Sequence, residues 1–336
     1  MMFNTLFMED TKYKAFVTKE SDSGFSNSVE NLSIADLKDN DLIVKVSYSS
    51  LNYKDALSAS GNKGVTREYP HTPGIDAVGE VVESNSSDFK TGEKIIVTGY
   101  DLGMNTYGGF GQYISIPANW AISLPEDLSE PEAMSIGTAG LTAGLCVRKL
   151  LMNDLAPDSG DVLVTGASGG VGSVAVMVLS KLGFNVVALT GKKDQIDYLE
   201  SLGASSVIMR SEMEEQGKPL QRGIYQGGVD TVGGKILSNF ISQTSQRGAI
   251  TCCGNVASDK LQTSVFPFIL RGVTLIGIDS AESLLEVKKE IWNNFSDDWK
   301  IDLEKITKEV DLESLSNEVE KILRGEQVGR IRLNLG

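Results

Sequence analysis

From residue 161 onward, short apolar runs alternate with longer segments that carry polar and apolar positions at helical spacing. Residues 162–165, 185–190, 206–209, 228–232, 249–253 and 273–278 form six strand-like runs. Helical stretches separate them; the one over 194–202 stops at Gly203, a residue suited to ending a helix. This order predicts an α/β fold, a doubly wound parallel sheet of the Rossmann kind, and six strands complete it. Upstream, the pattern changes to β-rich over 13–124. Residues 41–48 alternate as a half-buried strand does, and 74–82, 94–98 and 108–116 contribute further strands or loop-to-strand entries. Pro125 and Pro131 flank a crossover, after which 132–151 predicts a helix interrupted at Gly137 and Gly140. The tail over 302–324 reads as one charged, amphipathic helical region. Residues 329–333 form a last strand that either rejoins the first domain or ends loose. The expected domains are therefore 1–124 with 295–336, β-rich, and 125–294, the parallel sheet.

The junction of the first strand and helix of that sheet holds the densest glycine turn in the chain, Thr165-Gly166-Ala167-Ser168-Gly169-Gly170-Val171-Gly172. Such a turn lets backbone approach a ligand closely, and a helix start offers free N–H groups to an anion. Against the dinucleotide fingerprint Gly-x-Gly-x-x-Gly, Ala167 takes the first glycine place and Gly169 and Gly172 the others. The next strand ends about 20 residues on, where such a site reads the ribose. There an NAD site carries Asp or Glu; this chain has Thr190-Gly191-Lys192-Lys193. A hydroxyl, a glycine N–H and an ammonium suit a 2′-phosphate, so the expected cofactor is NADPH. The bland alternative is a pair of solvated lysines.

Composition narrows the partners. A chain of 336 residues has room for two cores. A net charge of −14 argues against a nucleic-acid groove or an anionic membrane surface. No apolar run reaches membrane-spanning length, and residues 1–5 lack a basic region ahead of an apolar one, so the expectation is a cytoplasmic protein. Three cysteines, Cys146, Cys252 and Cys253, make no disulfide framework and are read as reduced and mostly buried.

Several motifs stand in order: Ser50-Leu51-Asn52-Tyr53-Lys54-Asp55, Pro70-His71-Thr72-Pro73-Gly74-Ile75-Asp76-Ala77-Val78-Gly79, Gly108-Gly109-Phe110-Gly111, the glycine turn, and Thr190-Gly191-Lys192. With them the chain resembles the medium-chain dehydrogenase/reductase superfamily over about 13–334. Its zinc-free quinone-oxidoreductase branch is the nearer match, and within that the quinone oxidoreductase/acrylyl-CoA reductase subgroup. The resemblance implies a GroES-like catalytic domain and a Rossmann domain with the active site in the cleft that joins them. Zinc-dependent members carry a Cys near an Asp, then Gly-His-Glu, then a later Cys. Here Asn52 stands three before Asp55 where that cysteine would lie, and Ile75 replaces the histidine. His71, the lone histidine, reads as a packed or loop residue, and no metal is expected.

Without a Lewis acid the favoured chemistry is hydride addition to an activated C=C, in an enoyl thioester such as acrylyl-CoA. Reduction of a quinone is the alternative, and a nucleotide-binding protein without turnover the second alternative. Asn52 and Tyr53 are the catalytic candidates, against a reading as a capped turn with a half-buried tyrosine; Asp55 is read as structural. By resemblance, cofactor contacts come from Tyr53, Ser168, Gly169, Gly170, Val171, Thr190, Gly191, Lys192, Gly254 and Asn255, with Phe268, Asp279 and Arg330 as further members. Arg330 reads equally as an ion pair, and Phe268 as core packing. The apolar run 273–278 implies a homodimer, since the matching strand of relatives extends the sheet across two subunits.

Overall fold

The structure, a computed structural model, describes residues 11–336; the N-terminal residues 1–5 weighed above lie outside them. The chain forms two compact units. The first comprises the described residues up to Thr138 with Ala281–Ser296 and Ile306–Gly336; the second is Ala139–Ser280 with Asp297–Lys305.

In the first unit, β1 (Lys12–Ser21) and β2 (Gly24–Ser33) form an antiparallel hairpin. A seven-stranded sheet follows, built from β3 (Leu42–Leu51), β4 (Asp76–Ser84), β5 (Lys94–Thr98), β6 (Tyr113–Ile116), β7 (Ala121–Ser123), β14 (Thr307–Val310) and β15 (Arg330–Asn334). Its order is β14-β15-β3-β4-β5-β7, with β6 beside β3. Alternation puts Leu42, Val44 and Val46 of β3 into a core shared with Phe16, Ile95, Phe110, Ile331 and Leu333. Helices α1 (Tyr53–Ala59) and α8 (Leu315–Leu323) belong to this unit. So β15 does rejoin the first sheet, antiparallel to β3.

The second unit is a six-stranded parallel sheet of β8 (Val162–Thr165), β9 (Val186–Thr190), β10 (Ser206–Met209), β11 (Tyr225–Asp230), β12 (Thr244–Cys252) and β13 (Thr274–Gly277). The order β10-β9-β8-β11-β12-β13 reverses direction at β8, as a doubly wound sheet requires. Connecting helices include α3 (Gly170–Lys181), α4 (Ile196–Ser201), α5 (Gly234–Gln243) and α6 (Phe266–Arg271). The residues Val162, Leu163, Val164, Val186, Ala188 and Leu189 are all buried, because helices cover both faces of the central strands.

Three details differ from the sequence reading. The helix expected over 132–151 is α2 (Glu130–Leu151), and it kinks only at Gly137, whose φ of 49° and ψ of −159° are non-helical. The two compact units divide beside this kink, between Thr138 and Ala139. Similarly, α7 (Leu285–Ser296) belongs to the first unit: its Lys288 ammonium donates to the carbonyls of Thr98 (2.7 Å) and Ala281 (2.8 Å) and lies 3.5 Å from the Tyr100 ring centre. Residues 302–324 are not one helix. Thr307–Val310 pairs as a strand with β15 and buries Val310, so pairing overrides the helical charge pattern there. The three cysteines are free; Cys146 is buried, whereas Cys252 and Cys253 are partly exposed at the end of β12.

Candidate functional site

In the second unit the residues marked for nucleotide binding gather at one edge, the carboxyl ends of the parallel strands. Ser168 to Val171 follow β8, Thr190 to Lys192 follow β9, Gly254 and Asn255 follow β12, and Asp279 follows β13. The turn needs its glycines for packing. A Cβ on Gly172 would lie 2.3 Å from the Gly166 carbonyl oxygen, so the first turn of α3 presses directly on the strand end. Gly169 caps α3 without a side chain, and the helix start is left for a ligand's anionic group. Gly254 is similarly constrained: a Cβ there would meet the Thr231 carbonyl oxygen at 2.1 Å.

The polar groups at this edge fit a phosphorylated ribose. Ser168 Oγ and Thr190 Oγ1 are 3.1 Å apart, and the Lys192 N–H donates to Thr190 Oγ1 at 3.2 Å. Arg210, the residue after β10, carries no motif of its own in the sequence. A Cβ on Gly191 would contact its guanidinium carbon at 3.2 Å, so the guanidinium lies over the glycine at the end of β9. Its Nε donates to Glu214 at 2.9 Å, an exposed pair that holds the side chain loosely. Only its place at the end of the neighbouring strand could have pointed to it. Below the edge, Asp230 is buried and its acidity weakened by that burial; it accepts from Thr165 Oγ1 (2.7 Å) and the Gly233 N–H (2.8 Å), tying β8 to the loop after β11.

Three residues marked for cofactor contact do not follow a strand end of this sheet: Tyr53 and Arg330 belong to the first unit, and Phe268 to α6. Phe268 on α6 is partly buried against the hydrophobic core that includes Phe240 and Ile250, which is the packing reading. Arg330 sits in the first unit with 1% of its surface exposed. Its guanidinium donates inward, from Nε to the Ser135 carbonyl (3.0 Å), Nη2 to Ser50 Oγ (2.8 Å), and Nη1 to Asn52 Oδ1 (3.3 Å) and the Leu51 carbonyl (3.4 Å). A guanidinium so enclosed is an internal anchor of the first unit and not an exposed ion pair.

Around Arg330 the first unit assembles Asn52, Tyr53, Asp55 and Asp76. Asn52 caps α1 and Tyr53 opens it. The Asn52 N–H donates to Asp55 Oδ2 at 2.8 Å, and Asp55 Oδ1 accepts the Ile75 N–H at 2.8 Å. Asp55 is fully buried, and burial first, then the charge of Asp76, pushes its pKa up to about 7. Tyr53 stays 46% exposed, the one aromatic of this cluster that reaches solvent.

A zinc ion does not fit here. Among the described residues no cluster of three His, Cys, Asp or Glu is placed to hold a metal. Asn52 and Ile75 stand at two ligand positions, and the Asp76 oxygens are occupied by donors from Ser50, Asn52 and Thr138. His71 is buried, its backbone bridges to Thr18 of β1, and burial lowers the pKa of its imidazole.

Fold and site together define a two-unit oxidoreductase with a nucleotide-binding sheet. Residues 38–126 match the family described as "Alcohol dehydrogenase GroES-like domain", and 170–297 that described as "Zinc-binding dehydrogenase". The chain is 39% identical to the acrylyl-CoA reductase AcuI of Ruegeria pomeroyi, over 98% of each chain. It is 41% identical to YhfP of Bacillus subtilis, named provisionally a quinone oxidoreductase, over 97% of this chain and 99% of that one. The crystal structure of yhfP with NAD bound superposes with a TM-score of 0.94 (97% of this chain, 100% of that one). Escherichia coli YHDH with bound NADPH, 38% identical, gives 0.93 (96% and 100%). The chain belongs to the medium-chain dehydrogenase/reductases, in their zinc-free quinone-oxidoreductase branch.

Proposed function

We propose that this protein is an NADPH-dependent reductase of activated carbon–carbon double bonds, with an enoyl thioester such as acrylyl-CoA as its leading acceptor. The observation that carries the reading is the end of β9: Thr190, Gly191 and Lys192 without a carboxylate, and the Arg210 guanidinium laid over Gly191. An acid there would repel a 2′-phosphate; a guanidinium and a hydroxyl attract it. The named activity of AcuI and the NADPH held by YHDH support the same choice, while the NAD in yhfP makes nucleotide preference the sharper test.

When bound, the nicotinamide supplies hydride to the β-carbon of the acceptor. The protein's task is to orient the alkene and to offer hydrogen bonds to the carbonyl oxygen, where negative charge gathers. Tyr53, exposed and carrying a phenol, is the candidate for that side of the site. Asn52 contributes by its place in the buried cluster, because its amide is already engaged on both atoms. Solvent water delivers the proton. A second reading, reduction of a quinone by the same hydride chemistry, is favoured by the name of the Bacillus relative.

We include in the proposal a homodimer in the cytoplasm. β13 is the outer strand of its sheet, and Val265, Phe266, Ile269 and Leu270 beside it are 47–68% exposed. Steady-state oxidation of NADPH against a panel of enoyl-CoA esters and quinones tests the central reading. Fast turnover with enoyl esters supports it, turnover with quinones alone selects the second, and tight NADPH binding with no turnover leaves only a nucleotide-binding role.

A further inference from the structure

In the first unit a buried polar cluster centres on Asp76. Its carboxylate is wholly buried and accepts Ser50 Oγ (2.6 Å), Asn52 Nδ2 (2.8 Å), the Thr138 N–H (2.8 Å) and Thr138 Oγ1 (2.5 Å). Arg330 closes the cluster from the other side through Ser50 Oγ and Asn52 Oδ1. The two ends of the Asn52 amide are therefore told apart: the carboxylate takes the nitrogen, the guanidinium the oxygen. No side chain is admitted at Gly137, where a Cβ would lie 2.4 Å from Ser50 Oγ, 2.6 Å from Asp76 Oδ2 and 2.8 Å from Arg330 Nη2.

This is more than a seven-residue helix requires for its cap. One side-chain oxygen commonly suffices at such a position, and burying charge in place of apolar groups is costly. Here two carboxylates and a guanidinium fix one residue, and the next residue along is the exposed Tyr53.

We propose that Asp76 is a positioning residue of the reductase site: by clamping the Asn52 amide against Arg330 it sets the direction in which the first turn of α1 presents Tyr53. The inference rests on the reading of Tyr53 as a group on the acceptor side. Asp76→Asn removes the charge from the cluster: its amide oxygen keeps the Oδ2 place shared by Ser50, Asn52 and the Thr138 N–H, and its N–H₂ takes the Oδ1 place against the Thr138 hydroxyl, without touching Tyr53. Ser50→Ala is milder, removing one hydrogen bond from each of Asp76 and Arg330.

The test uses the full chain with 3-fluorotyrosine placed at position 53. The readouts are the fluorine resonance, kcat and KM with an enoyl-CoA ester, and the isotope effect from NADPH deuterated at C4. For Asp76→Asn, kcat falls about 100-fold, the size of effect of an ångström-scale misplacement, while KM for NADPH stays within about twofold. The isotope effect rises and the resonance shifts or splits. Asp76→Glu, which keeps the charge, retains more activity than the Asn variant, and Ser50→Ala gives about a tenfold loss with a smaller shift. Should Asp76→Asn fail to fold, Ser50→Ala decides alone. Wild-type kcat with an unshifted resonance in a folded variant overturns the proposal. If the wild type reduces no acceptor, the reductase reading fails; the resonance then decides positioning by itself, a shift supporting it and no shift overturning it.

Discussion

Asp55 gives a prediction whose size follows from its surroundings. Its carboxyl is fully buried with Asp76 nearby, and its pKa rises from 3.8 to about 7 on folding. Between those values the folded protein holds a proton that the unfolded chain has lost. The stabilisation tied to this group is thus complete below pH 4 and vanishes as pH rises through about 7. At 1.36 kcal/mol per unit, the full span is about 4 kcal/mol, and the part that falls between pH 5.5 and 8.5 is about 2 kcal/mol. Urea unfolding of wild type and Asp55→Asn at those two pH values measures it, because all other titrating groups are shared. The Asn variant imitates the neutral acid and forfeits part of the Asn52 hydrogen bond, so its absolute stability drops; the pH slope carries the information. Wild type is expected to lose about 2 kcal/mol more than the variant on going to pH 8.5. Equal slopes in the two proteins refute the argument that Asp55 pays for its burial by holding a proton.

Other consequences follow from the same geometry. Gly137→Ala forces a methyl among Ser50, Asp76 and Arg330 at a φ of 49°, and it is expected to cost at least about 2 kcal/mol in denaturant melts; a neutral effect would show that the cluster yields easily. Lys192→Ala and Arg210→Ala should each raise the Kd for NADPH about tenfold or more while leaving that for NADH nearly unchanged, as fluorescence titration reads. An unchanged NADPH/NADH ratio in either variant removes that residue from the ribose site. Removing the exposed apolar groups with Ile269→Glu and Leu270→Glu is expected to give monomers in light scattering; an unaltered mass would place any subunit contact elsewhere.

The sequence revealed the parallel sheet well because its strands carry their own signal. Ser206–Met209 follows the helix stop at Gly203, and Val162–Thr165 runs into the glycine turn, so both were legible residue by residue. Pattern failed where a partner distant in sequence decides the outcome. Thr307–Val310 looks helical beside Glu304, Lys305 and Glu309, yet it pairs with Ile331 and Leu333 and becomes a strand. Arg330 looked like an exposed cation near the chain end; only folding reveals that Ser50, Asn52 and Ser135 enclose it. Asp76 stands inside a motif whose legible features are its glycines and its missing histidine. Its role as the shared acceptor needed Thr138, 62 residues on, to be placed beside it. Arg210 stayed hidden for the same reason, since nothing local separates it from any arginine after a strand.

The account stands or falls on where hydride goes and whether a metal helps it. The direct measurement is to turn over acrylyl-CoA with NADPH carrying deuterium at both C4 positions, using protein dialysed against a strong chelator, and to locate the label in the product by NMR. One deuterium at the β-carbon, at a rate the chelator leaves unchanged, is the predicted result. An unlabelled product, or activity that disappears with the chelator and returns with zinc, would contradict it.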